Sequence, residues 1–176
     1  QCTKIMAYSS IAHLGWMLII VKYAPSLTIL ALITYIIMSI ATFLTLKTNK
    51  APNINALAAS WAKSPPLTAL TALLLLSLGG LPPLTGFLPK WLIVQELTEQ
   101  QLPMTALFAT LTALLSLYFY LRLCYAMTLT TPLTYQAVAA LWRVPPQRPS
   151  TLFAAVSLMS TILLPLAPAI KALTQL

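Results

Sequence analysis

The sequence predicts an all-α fold, a polytopic bundle of membrane-spanning helices. Three observations carry that expectation. Of the 176 residues, 59% are hydrophobic and only 7% are charged, against roughly 25% charged in soluble domains. The apolar residues gather into runs near the ~20 residues that span a bilayer. The cations fall mostly between those runs, as they do in membrane loops.

Five runs follow in order, at residues 5–21, 26–46, 66–97, 104–127 and 150–169. The segments between them hold the polar and turn-forming residues: KTNKAPNIN after the second run, TEQQLP after the third, WRVPPQRPS before the fifth. No internal repeat relates the five. Residues 1–176 therefore read as a single membrane domain. The chain starts without Met, and its first run contains Ser9, Ser10 and His13 and lacks a cleavage signature. That is unlike a secretory signal, and the chain is expected to begin in the middle of a longer protein.

Charge sets the expected orientation. Lys4, Lys47, Lys50, Lys63, Arg143 and Arg148 fall on one side, with Arg122 near that end of its run. Lys22 and Lys171 fall on the other, with Glu96 and Glu99. The cation-rich side is the inner one, so the chain enters from inside and ends outside. The formal charge of +8 is spread between apolar runs and forms no solvated basic patch, which argues against nucleic-acid binding. No CxxC, HExxH or GxGxxG is present, so no metal, iron–sulfur or nucleotide site is expected. Cys2 and Cys124 are expected to be small, inert hydrophobes.

The third run is the unusual one. As a straight helix its ~30 residues would reach ~45 Å, well over the ~30 Å hydrocarbon core. GGLPPLTGFLPKW shows where it breaks. Pro82 and Pro83 lack N–H groups and clash with the preceding turn, which frees the carbonyls of Leu78 and Gly79. Gly79 and Gly80 let the backbone leave the helix. Pro83 suits the first position of a new helix, and Pro89 frees the carbonyl of Thr85. Unsatisfied backbone groups are costly in lipid, so this segment is expected to face other helices or a hydrated cavity.

Lys90 follows at once. A mid-membrane lysine costs roughly 2.5–3.5 kcal/mol on insertion scales. Desolvation penalises its charged form, so a lysine beside freed carbonyls and water can load and release a proton. The alternative is a snorkelling side chain, since Glu96 lies only about 9 Å farther along a helix. His13 is the second candidate for proton handling. It shares a helical stripe with Ser9 and Ser10 and belongs to the residue type that titrates near neutrality. Its alternative is a neutral histidine bonded to a neighbouring helix. The remaining hydroxyl residues of the runs read as helix-packing groups. SLYFYLRLCY reads as an interfacial aromatic belt with a snorkelling Arg122.

KIMAYSSIAHLGWM and LLSLGGLPPLTGFLPKWLIVQEL closely resemble the subunit-2 family of mitochondrial respiratory complex I, the proton-pumping NADH:ubiquinone oxidoreductase. LTALLSLYFYLRLCYAMTLT and TILLPLAPAI resemble the same family, so the likeness covers nearly the whole chain. The resemblance implies an antiporter-like bundle of two inverted five-helix repeats. This chain would be the second repeat, with five transmembrane helices and the third one broken. It implies that the family's central lysine falls at Lys90 and its nearby histidine at His13. It implies proton translocation across the mitochondrial inner membrane, with the first residues on the matrix side and the last on the intermembrane-space side. NADH, FMN, iron–sulfur clusters and ubiquinone would serve in other subunits, with no cofactor bound by this chain. The implied partners are other membrane-arm subunits and lipid, not further copies of itself. A non-redox cation/proton antiporter complex shares the fold and remains the alternative. The family's N-terminal half, with its glutamate–lysine pair and another central lysine, has no counterpart here, and QCTK departs from the family's usual wording.

Overall fold

A computed structural model of the chain describes residues 2–49, 53, 56–57, 60, 65–129, 157–158 and 160. Among the described residues there are five α-helices and no strand. They are α1 (Cys2–Ile20), α2 (Pro25–Thr48), α3 (Pro65–Gly79), α4 (Phe87–Glu99) and α5 (Pro103–Leu129). The fifth apolar run, 150–169, lies outside the described residues apart from Ser157, Leu158 and Ser160.

Local chemistry fixes the helix ends. Pro25, Pro65 and Pro103 each open a helix, where a missing N–H removes no helical bond. Between α1 and α2 a tight turn brings the Tyr23 and Ala24 N–H groups onto the Ile20 carbonyl, 3.0 Å each. Two helices end in the same way. Leu81 N–H reaches the Leu76 carbonyl at 3.3 Å and Gly80 N–H the Ser77 carbonyl at 3.0 Å, with Gly80 at φ +87°. Leu102 N–H reaches the Leu97 carbonyl at 3.1 Å and Gln101 N–H the Thr98 carbonyl at 3.2 Å, with Gln101 at φ +59°. Both are Schellman closures, which need a left-handed residue just past the helix.

Only α2 and α5 are both long and apolar enough, among the described residues, to cross a bilayer alone. At 24 and 27 residues they run about 36 and 40 Å. α3 and α4, at 15 and 13 residues, reach only about 20 Å each. Both pack against α2 and α5, and α4 and α2 also take α1.

Two apolar clusters divide the bundle lengthwise. One joins Met6, Met38, Leu75, Leu78, Leu123 and Met127. It takes the start of α1, the second half of α2, α3 and the end of α5. The other joins Trp16, Ile20, Ala31, Ile93, Leu97 and Ala106. It takes the end of α1, the start of α2, α4 and the start of α5. This makes α1 antiparallel to α2, and lays α5 back along α4 and then α3. Between the clusters the interior turns polar. The outside shows the reverse: Tyr8, Leu18, Leu115 and Leu129 are more than two-thirds exposed. An apolar outside around buried Ser, Thr, His and Lys is how a bundle presents itself to lipid. Most of the buried hydroxyls donate to a carbonyl three residues back, as Thr34, Thr45 and Thr71 do, so they cost the bundle little.

Candidate functional site

Helical backbone stops at Gly79 and resumes at Phe87. The expectation that Pro83 begins the new helix is corrected: residues 81–86 form turns, with Leu84 N–H on the Leu81 carbonyl at 2.9 Å and Phe87 N–H on the Leu84 carbonyl at 3.2 Å. A continuing helix would need N–H groups at Pro82 and Pro83 for the carbonyls of Leu78 and Gly79, and neither proline has one. The Thr85 carbonyl, left free by Pro89 in the sequence reading, instead accepts the Leu88 N–H at 3.2 Å.

Lys90 takes the two carbonyls at the end of α3. Its Nζ donates to the Gly79 oxygen at 3.0 Å and reaches the Leu78 oxygen at 3.5 Å. The lysine is 9% exposed and crosses from the first turn of α4 to the last turn of α3. It therefore caps α3 in place of the missing N–H groups. Gly80 makes room for it. A Cβ there would lie 3.0 Å from Lys90 Nζ and 3.2 Å from its Cδ. Electrostatically, the ammonium sits at the negative end of the α3 dipole but also in the first turn of α4, at that helix's positive end. No carboxylate bonds it among the described residues. The chain's two acids sit farther along α4, where Glu96 accepts from Gln100 at 3.1 Å and Glu99 from Gln95 at 3.0 Å. Among the described residues, the Lys90 ammonium is held by backbone carbonyls alone.

His13 comes from α1 into the same place. It is 9% exposed, and its ring lies over Tyr35 of α2 with centroids 4.8 Å apart. The Leu78 carbonyl lies 3.5 Å from Lys90 Nζ, and Leu78 lines the same cavity as His13. His13 and Lys90 line that cavity, of about 210 Å³, together with Ser9, Thr112, Ser116 and Tyr120. On its other side Lys90 meets a second, more apolar cavity of about 310 Å³ walled by Trp16, Phe87 and Trp91. The structure thus brings together His13, Lys90, Gly79 and Gly80, while Pro82 and Pro83 are exposed and Pro89 is buried within α4.

Three features escaped the sequence reading. Tyr120 does not belong to an interfacial belt: it is 5% exposed, whereas Tyr118 and Tyr125 are 66% and 62% exposed. Its position on the inner face of α5, in register with Leu123 and Met127, was the available signal. Gly86 lets the turn lie directly on α3, since a Cβ there would collide with the Ser77 carbonyl oxygen. Ser77 and Thr85 lie 3.1 Å apart across the interruption; Thr85 donates to the Ser160 carbonyl, and Ser77 gives its one proton either to Thr85 or to that same carbonyl at 3.2 Å. Ser160 is thereby tied to the turn. Cys124 is buried with its Sγ 3.6 Å from the Ala72 carbonyl. No group of three or more metal-ligating side chains occurs among the described residues.

Residues 1–116 match the family described as NADH:quinone oxidoreductase/Mrp antiporter, TM, and residues 117–171 match NADH dehydrogenase subunit 2 C-terminus. The chain is similar to proteins named NADH-ubiquinone oxidoreductase chain 2. It is 61% identical to that of Salmo salar over all of this chain, 59% to that of Danio rerio over 99% of it, and 54% to that of Gadus morhua over all of it. The aligned part is 50%, 50% and 51% of those relatives. The chain thus spans about half the length of the curated relatives it matches.

Proposed function

The chain belongs to the NADH:quinone oxidoreductase/Mrp antiporter family of multi-pass membrane proteins, and from that premise we propose that it is the second repeat of a proton-translocating membrane-arm subunit of respiratory complex I. Electron transfer from NADH to ubiquinone takes place in other subunits, which carry the FMN and iron–sulfur clusters. This chain moves protons across the mitochondrial inner membrane, with its first residues on the matrix side. It packs against other membrane-arm subunits and lipid, not against copies of itself. α3 and α4 are the two halves of one broken span, the third of five. Their shared packing against α2 and α5 supports this, because each half is too short to cross alone.

The observation that carries the proposal is the single cavity lined by both Lys90 and His13. Lys90 alternates between a charged state, held on the Gly79 and Leu78 carbonyls, and a neutral one. The cavity has room for several waters, through which a proton can travel to or from Lys90. His13 relays or tunes that movement.

The test compares redox-driven with redox-free transport. Vesicles containing the complex with the full-length subunit are expected to take up protons on addition of NADH and ubiquinone, and to stop with a rotenone-type inhibitor. Sodium/proton exchange without NADH, indifferent to that inhibitor, would instead assign the chain to a cation/proton antiporter complex.

A further inference from the structure

A histidine exchanges protons only along its ring edge. Its two nitrogens lie in the ring plane, one donating and one accepting in the neutral form. Rotation of that plane is soft, because the last side-chain torsion of histidine has broad, roughly two-fold wells. A histidine that serves a cavity therefore depends on a neighbour to fix its plane.

Tyr35 of α2 is such a neighbour. Its ring lies against the His13 ring with centroids 4.8 Å apart and planes 30° apart, inside the range of about 4.5–7 Å that aromatic pairs favour. Tyr35 is half-buried and packs on the cluster that holds Trp16 and Met17. These two follow His13 on the same face of α1, so the tyrosine ring is itself held beside the imidazole. Among the described residues that wall the cavity shared with Lys90, His13 is present and Tyr35 is not. The imidazole thus has an aromatic ring to one side and the cavity to another.

A ring contact also suits a group that changes charge. Neutral rings attract through dispersion, and the face of a phenol ring attracts a cation within about 6 Å of its centroid. The contact therefore survives when the imidazole gains a proton. A hydrogen-bonded neighbour does not have that property, since a nitrogen that accepts in the neutral ring donates in the charged one.

We propose that Tyr35 is a positioning residue of the proton path: stacked on His13, it holds the imidazole plane so that a ring nitrogen faces the cavity shared with Lys90. A proton leaving the Lys90 ammonium crosses a cavity water, which loses one proton as it gains another, and an N–H forms on the ring. Lys90 ends neutral and His13 ends as the cation; the return reverses each step, and no electrons move between groups. Tyr35 gives no proton in this role, and only its ring is used. The inference rests on the proposed proton role of His13.

The test uses the full-length subunit in the assembled complex, in proton-tight vesicles, with coupled proton uptake measured per assembled complex. Tyr35→Phe keeps the ring and is expected to leave uptake unchanged. Tyr35→Leu removes the aromatic face and is expected to lower uptake by about two- to tenfold, the weight of one aromatic pair. His13→Asn is the reference. It should lower uptake by itself, and Tyr35→Leu added to it should cost nothing more. The same further loss with and without His13 would overturn the inference, because a tyrosine that only packs helices acts in both backgrounds. Equal uptake in Tyr35→Leu and Tyr35→Phe would overturn it too. Should Tyr35→Leu fail to assemble, Tyr35→Met takes its place, since a flexible side chain refills the space. If His13→Asn alone leaves uptake unchanged, the proton role of His13 fails and takes this inference with it.

Discussion

Lys90 and Gly80 form one unit. Gly80 sits at φ +87°, where a side chain costs roughly 1–2 kcal/mol, and its missing Cβ is the space that Lys90 crosses. Gly80→Ala is therefore expected to act twice. It should lower the thermal unfolding midpoint of the assembled complex by a few degrees, and it should push the ammonium off the Gly79 carbonyl. Gly15→Ala is the control, since a Cβ there meets nothing within 4 Å and alanine is the better helix former by up to about 1 kcal/mol. A thermal-shift series on the two variants checks the contrast. The sequence makes part of this unit legible. Pro82 and Pro83 lack the N–H groups that the Leu78 and Gly79 carbonyls need, so another donor is required. That Lys90 is the donor depends on how the turn folds back, which local pattern does not encode. The burial of Tyr120 was hidden for a similar reason: aromatic, basic and apolar residues alternate there as they do in an interfacial belt.

The turn between α3 and α4 is held by contacts between elements. Gly86 lies directly against the Ser77 carbonyl, and Ser77 and Thr85 both lie within hydrogen-bond reach of the Ser160 carbonyl. The apolar clusters sit to either side, one on α3 and one on α4. Gly86→Ala is thus expected to separate turn from helix and to reduce assembly of the complex severely, as read by native gel electrophoresis. Thr85→Val, of similar shape, removes one hydroxyl and should cost only about 1 kcal/mol, with assembly near normal. Equal assembly of the two variants would contradict the close approach at Gly86. Nothing in GGLPPLTGFLPKW separates Gly86 from the other glycines by itself. Its role comes from the approach of α3, a tertiary fact. The helix resumes at Phe87 and not at Pro83 because residues 81–86 satisfy one another in consecutive turns.

Across the whole molecule, polarity is inverted relative to a soluble protein. Large apolar side chains face outward, while Ser9, His13, Ser77, Thr85 and Lys90 are buried. That inversion was legible from composition and from the placement of cations between apolar runs. The antiparallel return of α2 along α1, and of α5 along α4 and α3, follows from short connections that cannot cross a bilayer. What pattern alone could not supply is the convergence of α1, α3, α4 and α5 on one cavity. The chain covers about half the length of its relatives.

Lys90→Met in the full-length subunit tests the account most directly, because methionine keeps most of the stem's volume and removes the charge. The complex would be reconstituted into vesicles, with NADH oxidation and proton uptake recorded together. The account predicts normal assembly with proton uptake reduced, or with turnover slowed alongside it. Oxidation and uptake both equal to the unmutated complex would contradict it, leaving Lys90 as a helix cap that carries no proton.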